Sequence, residues 1–575
     1  MSARDVPWRE AIGGCVEAAQ GRRPLDLLLE DVLVLDVFSC AWRRAHVGVA
    51  GGLIAAVDPS PGPGLTARRV IRGGGRPLVP GFIDAHVHVE SSLLTPARFQ
   101  EAVLPRGTTT AVCDPHEVAN VLGVPGLAWV LDGAARLDLD LRVMLSACVP
   151  ATDMETNGGG RIEARDLLAL ADHPRALGLA EVMNVPGVLG LDPGLVDKLE
   201  AFLGQPIDGH APQVRGRALS AYAAAGIHSC HESSELDEAR EKLEKGVAVW
   251  VREGSVAKDL DALAPLLTLA TSTSVGFCTD DRNPLDIARE GHLDHLVRGA
   301  IRKGVPAEVA YRAASWTVAR HYGLDRSTPR ALRRGAIAPG WAADLLLLDD
   351  AATCAVSRVW KDGRDAAELA VPALAAPPLD NTVRAALPDA AALEGPSGPV
   401  HVIGVVPGKI ITERLVLPHD APGVARLAVL ERHGRGSRPA CGYARGFGER
   451  LRGAIASSVG HDSHNLAVVG SSANDMRVAL AHLAATGGGF CVAQDGRVLA
   501  DLPLPIAGLM TTATPSEVTG ALERLHAASA AIGCALPDPF LQLAFLSLPV
   551  IPALKLTDKG LVDVERFQLI DVRAA

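Results

Sequence analysis

Residues 80–90 read Pro-Gly-Phe-Ile-Asp-Ala-His-Val-His-Val-Glu, an apolar run that ends in two histidines alternating with valines. In a β-strand, residues i and i+2 project to the same face, so His86 and His88 can aim at one metal ion. Catalytic groups of a (β/α)₈ barrel lie at the C-terminal ends of its strands, and this pair stands at the end of its run. The segment therefore constrains fold and chemistry together. By itself a His-x-His also fits two ordinary strand histidines, so the decision falls to the residues downstream.

Several later apolar runs also end in a possible ligand. Gly178-Leu179-Ala180-Glu181-Val182 ends in a carboxylate, and Asp208-Gly209-His210-Ala211-Pro212 in a histidine. Ile227-His228-Ser229-Cys230-His231-Glu232 offers two histidines, and spacing does not choose between His228 and His231. Val275-Gly276-Phe277-Cys278-Thr279-Asp280-Asp281-Arg282 offers an acidic pair. Singly, His210 fits a hydrogen-bonded loop residue and Asp281 a partner for Arg282. The weight lies in the order: His-x-His, Glu, His, His, Asp, each after its own apolar run. Four histidines and two carboxylates suffice for two divalent ions, with nitrogen and oxygen donors suited to Fe, Mn or Zn.

The rest of the chain frames this segment. At 575 residues it exceeds one compact core. Short strands are predicted at 26–36 and 47–57, and again at 345–348 and 355–360, on either side of alternating strand and helix patterns. The expected fold is α/β. A (β/α)₈, TIM-like barrel over 80–325 is inserted in a small β-sandwich domain made from 1–79 and 326–375. An Ala/Pro-rich linker over 376–398 leads to a separate C-terminal α/β domain over 399–575.

A net charge of −10 without a basic tail gives no basis for nucleic-acid binding. No uninterrupted apolar run reaches 18 residues, and the N-terminus lacks a signal pattern, so no membrane association is expected. Ten scattered cysteines without a C-x-x-C pair read as reduced thiols of a cytoplasmic protein. A long barrel with an added apolar domain is expected to form a homo-oligomer.

The ligand order resembles that of the amidohydrolase superfamily, metal-dependent hydrolases built on this barrel. Longer runs are similar to the bacterial-type adenine deaminase family: Pro80 to Ser92, Arg106 to Thr110, Cys113-Asp114-Pro115-His116-Glu117, Cys278 to Asn283, Gly460 to Asn465 and Leu504 to Met510. The resemblance spans nearly the whole chain. It implies hydrolytic deamination of adenine to hypoxanthine and ammonia in purine salvage, by a metal-activated hydroxide. It also implies a binuclear centre of His86, His88, Glu181, His210, His231 and Asp280, loaded with Mn²⁺ or Fe²⁺, Zn²⁺ being the alternative. Many superfamily members bridge their metals with a carboxylated lysine. Between residues 81 and 280 the only lysines are Lys198, Lys242, Lys245 and Lys258, all in helix-like surroundings, and Glu181 stands where the bridge is wanted. The resemblance also favours His231 over His228.

Asp280 is expected to act as the general base. Glu232 reads as a proton shuttle or purine contact, or else as a surface carboxylate that starts a helix. His116 and Glu117 are expected to line the barrel mouth, or else to belong to a helix cap. The polar cluster His461-Asp462-Ser463-His464-Asn465 is expected to form a loop network rather than a lid. His88-Val89-Glu90 matches half of the cytidine-type zinc deaminase signature, but no P-C-x-x-C accompanies it, and that fold is excluded. Another amidohydrolase acting on a cyclic amide or a different aminated heterocycle is the alternative function, and a non-enzymatic metal-holding scaffold a more distant one.

Overall fold

The computed structural model describes residues 8–60, 65–328, 332–373, 377, 381–436 and 438–574. Parts of the expected N-terminal flank (1–7 and 61–64), return strands (329–331, 374–375) and linker (376, 378–380) lie outside the described residues. So do residues 437 and 575 of the C-terminal part.

Eight parallel strands succeed one another in chain order: β1 (Phe82–Val87), β2 (Thr108–Cys113), β3 (Asp140–Ser146), β4 (Ala176–Val182), β5 (Ile207–Gly209), β6 (Ser229–Cys230), β7 (Ala248–Arg252) and β8 (Val275–Cys278). Every residue of β1, β2, β3 and β7 is buried, as parallel strands covered on both faces require. Helices fill the connections. Two of them begin at Asn184 and Asp192, whose side chains accept from the backbone N–H three residues on, with proline in the first turn. The lower interior is packed by Ile83, Ala85, Val112, Met144, Ala180, Ala248, Trp250 and Cys278 against Val318 and Tyr322. The first and last strands meet at the top, where Asp280 N–H donates to His86 O (3.0 Å) and His88 N–H to Asp280 O (3.3 Å).

The two flanks of the barrel share one eight-stranded sheet. Its central strand Leu25–Asp36 pairs with Ala41–Ala50, with Ala67–Arg72 and with Pro77–Pro80. Pro77–Pro80 in turn pairs with the return strand Leu345–Asp350, Leu345 lying opposite Pro80. The chain thus enters β1 directly from this sheet. Gly81 makes the junction possible, because a Cβ there would collide with the side chain of Thr109.

A further eight-stranded sheet, from Pro399–Val405 to Arg497–Pro503, carries the helices Ala473–Thr486 and Pro515–Ala531. Beyond it lies a three-stranded sheet, beginning at Leu554–Thr557. Within the segment expected as a linker, Val383 and Leu393 are buried against this part of the chain. One apolar core runs unbroken from barrel residues such as Val118 and Leu127 to Ile403, Leu427 and Leu543. The C-terminal part is therefore packed on the barrel, over the ends of its strands.

Candidate metal centre and active site

The six expected ligands converge at the barrel top, all of them buried. Nε2 of His86 and Nε2 of His88 face each other at 3.2 Å. Glu181 Oε1 lies 3.2 and 3.1 Å from them, and Asp280 Oδ1 3.6 and 3.3 Å. The other oxygen of Glu181 lies 2.8 Å from His210 Nδ1 and 3.5 Å from His231 Nε2. One carboxylate thus spans two groups of donors, each compact enough to hold an ion. The ring of His231 stacks on that of His86, with centroids 4.0 Å apart.

The tautomer of His88 tests whether a cation suits this arrangement. Its Nδ1–H donates to the carbonyl oxygen of Asp114 (2.9 Å), leaving the Nε2 lone pair aimed at the other donors. Two imidazole nitrogens and two carboxylate oxygens directed at a common point are a donor set that fits a divalent ion. Burial opposes ionisation of Glu181, but the imidazoles of His231, His86 and His210 hold its carboxyl well below the usual range. Asp280 is likewise held well below, against its burial, by His88, His231 and Arg252. Its backbone φ of +54° lies in the left-handed region, which non-glycine residues seldom occupy away from functional or turn positions.

His228 does not join this group. It precedes β6, and its ring lies beside that of His321, centroids 5.2 Å apart. β6 is only two residues long, so His228 and His231 stand at its opposite ends. None of Lys198, Lys242, Lys245 and Lys258 enters the donor groups. Lys198, for example, donates to Ala147 O, and Lys242 pairs with Glu238 at 2.8 Å.

Glu232 is buried, which removes the reading as a surface carboxylate. It forms an ion pair with Arg252, whose Nη1 also lies 3.0 Å from Asp280 Oδ2 and whose Nη2 lies 3.1 Å from Asp259. His116 begins the helix His116–Leu122, but Asp114 does not cap that helix. Asp114 accepts instead from Ser146 Oγ (2.5 Å) and pairs with His116 Nδ1 (3.1 Å). His116 Nδ1 lies 3.8 Å from Glu181 Oε1, and its Nε2 3.6 Å from Asp462 Oδ1. The carboxylate of Glu117 is held between His461, at 2.8 Å, and His464. These two imidazoles keep Glu117 well below the usual carboxylate range despite its burial.

The expectation of a mere loop network at 461–465 needs correction. Ser463 and Asn465 do make one, with His433, Thr156 and Asp558. His461 and Asp462, however, line the same cavity as the metal donors. That cavity is walled on its apolar side by Met183, Val256, Ile410, Phe545 and Leu548. Sequence reasoning missed Arg252, Ile410 and Phe545. Arg252 carried a usable signal, since it ends the apolar run Val249-Trp250-Val251 as the ligands end theirs. Ile410 and Phe545 carried none.

Comparison with known proteins adds the lineage. Residues 78–365 match the amidohydrolase family and residues 409–568 the adenine deaminase C-terminal domain. An adenine deaminase from Methylobacterium nodulans is 52% identical over 566 residues, covering 96% of this chain and 98% of that protein. One from Cereibacter sphaeroides is 48% identical over 576 residues, covering 98% of this chain and all of the other. One from Gluconobacter oxydans is 49% identical over 573 residues, covering 96% and 99%. With these candidate ligands gathered at one barrel mouth and relatives of this closeness along nearly its whole length, the chain belongs to the adenine deaminase family.

Proposed function

We propose that the chain hydrolyses adenine to hypoxanthine and ammonia at the barrel mouth. The observation that carries the reading is Glu181, with one oxygen on the His86–His88 pair and the other on His210 and His231, beside Asp280, in a member of the adenine deaminase family. His86, His88, Glu181, His210, His231 and Asp280 would hold two divalent ions, Mn²⁺ or Fe²⁺ before Zn²⁺. Bound there, such ions lower the pKa of water to about 7 and so supply a nucleophile at neutral pH.

The chain's own groups handle the protons. An oxygen–carbon bond forms at C6 of adenine, the bond to the exocyclic nitrogen breaks, and that nitrogen must leave protonated as ammonia. Asp280 stands ionised next to the donors and takes the proton of the attacking water. It returns that proton to the ring, and the proton left on the oxygen at C6 goes to the departing amine, so ammonia leaves as the C6 carbonyl forms. Arg252 keeps the Asp280 carboxylate ionised and in place through its contact with Oδ2. Glu232, on the other side of Arg252, lies 3.7 Å from His231 and 3.9 Å from His210, placed to relay a proton at the cavity edge. His116 and Glu117 position the wall that His461 and Asp462 complete. Met183, Val256, Ile410, Phe545 and Leu548 offer an apolar wall to a flat heterocycle beside the donors.

Free thiols at all ten cysteines favour a reducing, cytoplasmic setting. The test of function is ammonia release from adenine by Mn²⁺- or Fe²⁺-loaded protein, beside hydantoin and guanine, with Asp280→Asn in parallel. Rapid release from adenine alone, lost by about 10²–10⁴-fold in the variant, is expected. Release from hydantoin or guanine but not adenine overturns the substrate.

A further inference from the structure

Lys555, in the strand Leu554–Thr557, is fully buried. Its ammonium donates to the carbonyl oxygens of Ile410 and Phe545, each at 2.8 Å. No carboxylate among the described residues pairs with it, and burial lowers its pKa to about 7. A buried ammonium without a counter-charge is costly, and an apolar side chain of similar length packs such a place more cheaply. Packing therefore does not account for it, whereas its two acceptors do.

Ile410 and Phe545 are both walls of the cavity over the metal donors. They pack with Val256, Leu548 and Ile551 as one small apolar cluster, separate from the main cores. Neither backbone is fixed by a sheet. Ile410 lies in the connection between Pro399–Val405 and Thr412–Pro418, and Phe545 caps the helix Pro539–Ala544, its carbonyl accepting also from Leu548 N–H at 3.4 Å. The ring of Phe545 lies flat on the imidazole of His461, centroids 4.6 Å apart and planes 5° from parallel. His461 in turn holds Glu117 of the barrel.

We infer that Lys555 is a positioning residue, tying the Ile410 and Phe545 backbones together and so setting the height of the roof over the bound purine. The inference rests on the reading of this cavity as the adenine site. Lys555 is not among the residues that line the cavity. It acts through the roof, so it governs how tightly the flat ring is held and how large a purine is admitted.

The test compares parent, Lys555→Met and Lys555→Gln in the full, metal-loaded chain. Lys555→Gln offers an amide NH2 on a shorter, uncharged side chain and serves if the methionine variant does not fold. Two readouts are taken: hydrogen exchange of the peptides around 408–411 and 545–548, and KM and kcat for adenine and for N6-methyladenine. Expected are at least tenfold faster exchange in both peptides, a KM for adenine raised about tenfold, and kcat changed less than threefold. The preference for adenine over N6-methyladenine should narrow, with metal content and melting temperature held. Unchanged exchange, or an unchanged KM, in a folded variant overturns the inference. A fall in kcat that tracks a fall in melting temperature also overturns it. Failure of the parent to release ammonia from adenine is a separate result and removes the substrate reading instead.

Discussion

Arg252 Nη1 lies 3.0 Å from one oxygen of Asp280, while the other oxygen of that carboxylate lies 3.3 Å from His88 Nε2. The expected base is thus held between a permanent cation and the metal donors. Arg252 also pairs with Glu232 and Asp259, so three buried carboxylates depend on one guanidinium.

Arg252→Met is therefore expected to do two things. Leaving buried carboxylates unpaired should cost about 3–5 kcal/mol of stability, read by denaturant unfolding of the parent and variant. Removing the cation beside Asp280 should also raise the pKa of its carboxyl. The acid limb of kcat/KM then moves to higher pH in the variant, since the base is protonated sooner as pH falls.

Glu181 serves both donor groups with separate oxygens. Glu181→Gln should thus lose both ions together rather than one. Elemental analysis is expected to give about two ions per chain for the parent and fewer than one for the variant, with deamination falling in step.

The Glu117–His461 pair gives stability a pH signature. Burial lowers the pKa of His461, but Glu117 and Asp281 outweigh it and raise it to about 9. A raised histidine contributes fully below its unfolded value of about 6.5, and the contribution is lost as pH climbs to about 9. Glu117, held low, contributes above its unfolded value of about 4.3 and is lost in more acid solution. Unfolding free energy should peak between these values and fall by up to about 3 kcal/mol from pH 6.5 to 9. His461→Gln should flatten that alkaline fall, and a parent already flat there would contradict the assignment.

Gly81 has no room for a side chain, since Oγ1 and Cγ2 of Thr109 occupy the place a Cβ would take. Gly81→Ala is expected to destabilise by about 1–3 kcal/mol and to displace the root of the strand that carries His86. Adding Thr109→Ala removes both of those atoms and should restore part of the loss, a coupling that a double-mutant cycle measures.

The convergence of the candidate ligands was legible in the sequence because a barrel strand presents its side chains locally. His86 and His88 are read from alternation, and Glu181, His210 and Asp280 from their places after apolar runs. His231 against His228 was not readable from spacing. The answer depends on β6 being only two residues long, with His228 before it and His231 after it. Arg252 occupied a ligand-like position but is no metal donor, and only its partners reveal its task. His461, Asp462, Ile410 and Phe545 lie far along the chain. Their place over the barrel comes from one apolar core that joins both parts, and no local pattern encodes it.

The clasp of Glu117 between His461 and His464 divides labour along the polypeptide. The barrel carries the six candidate ligands, and the late segments add Ile410, Phe545 and Leu548 to a wall that Met183 and Val256 begin. Part of the wall around the substrate is consequently encoded in a stretch of gene well apart from that which encodes the candidate ligands. A lineage, or an engineer, can recut that part for a different heterocycle while the hydrolytic engine beneath it runs on unchanged.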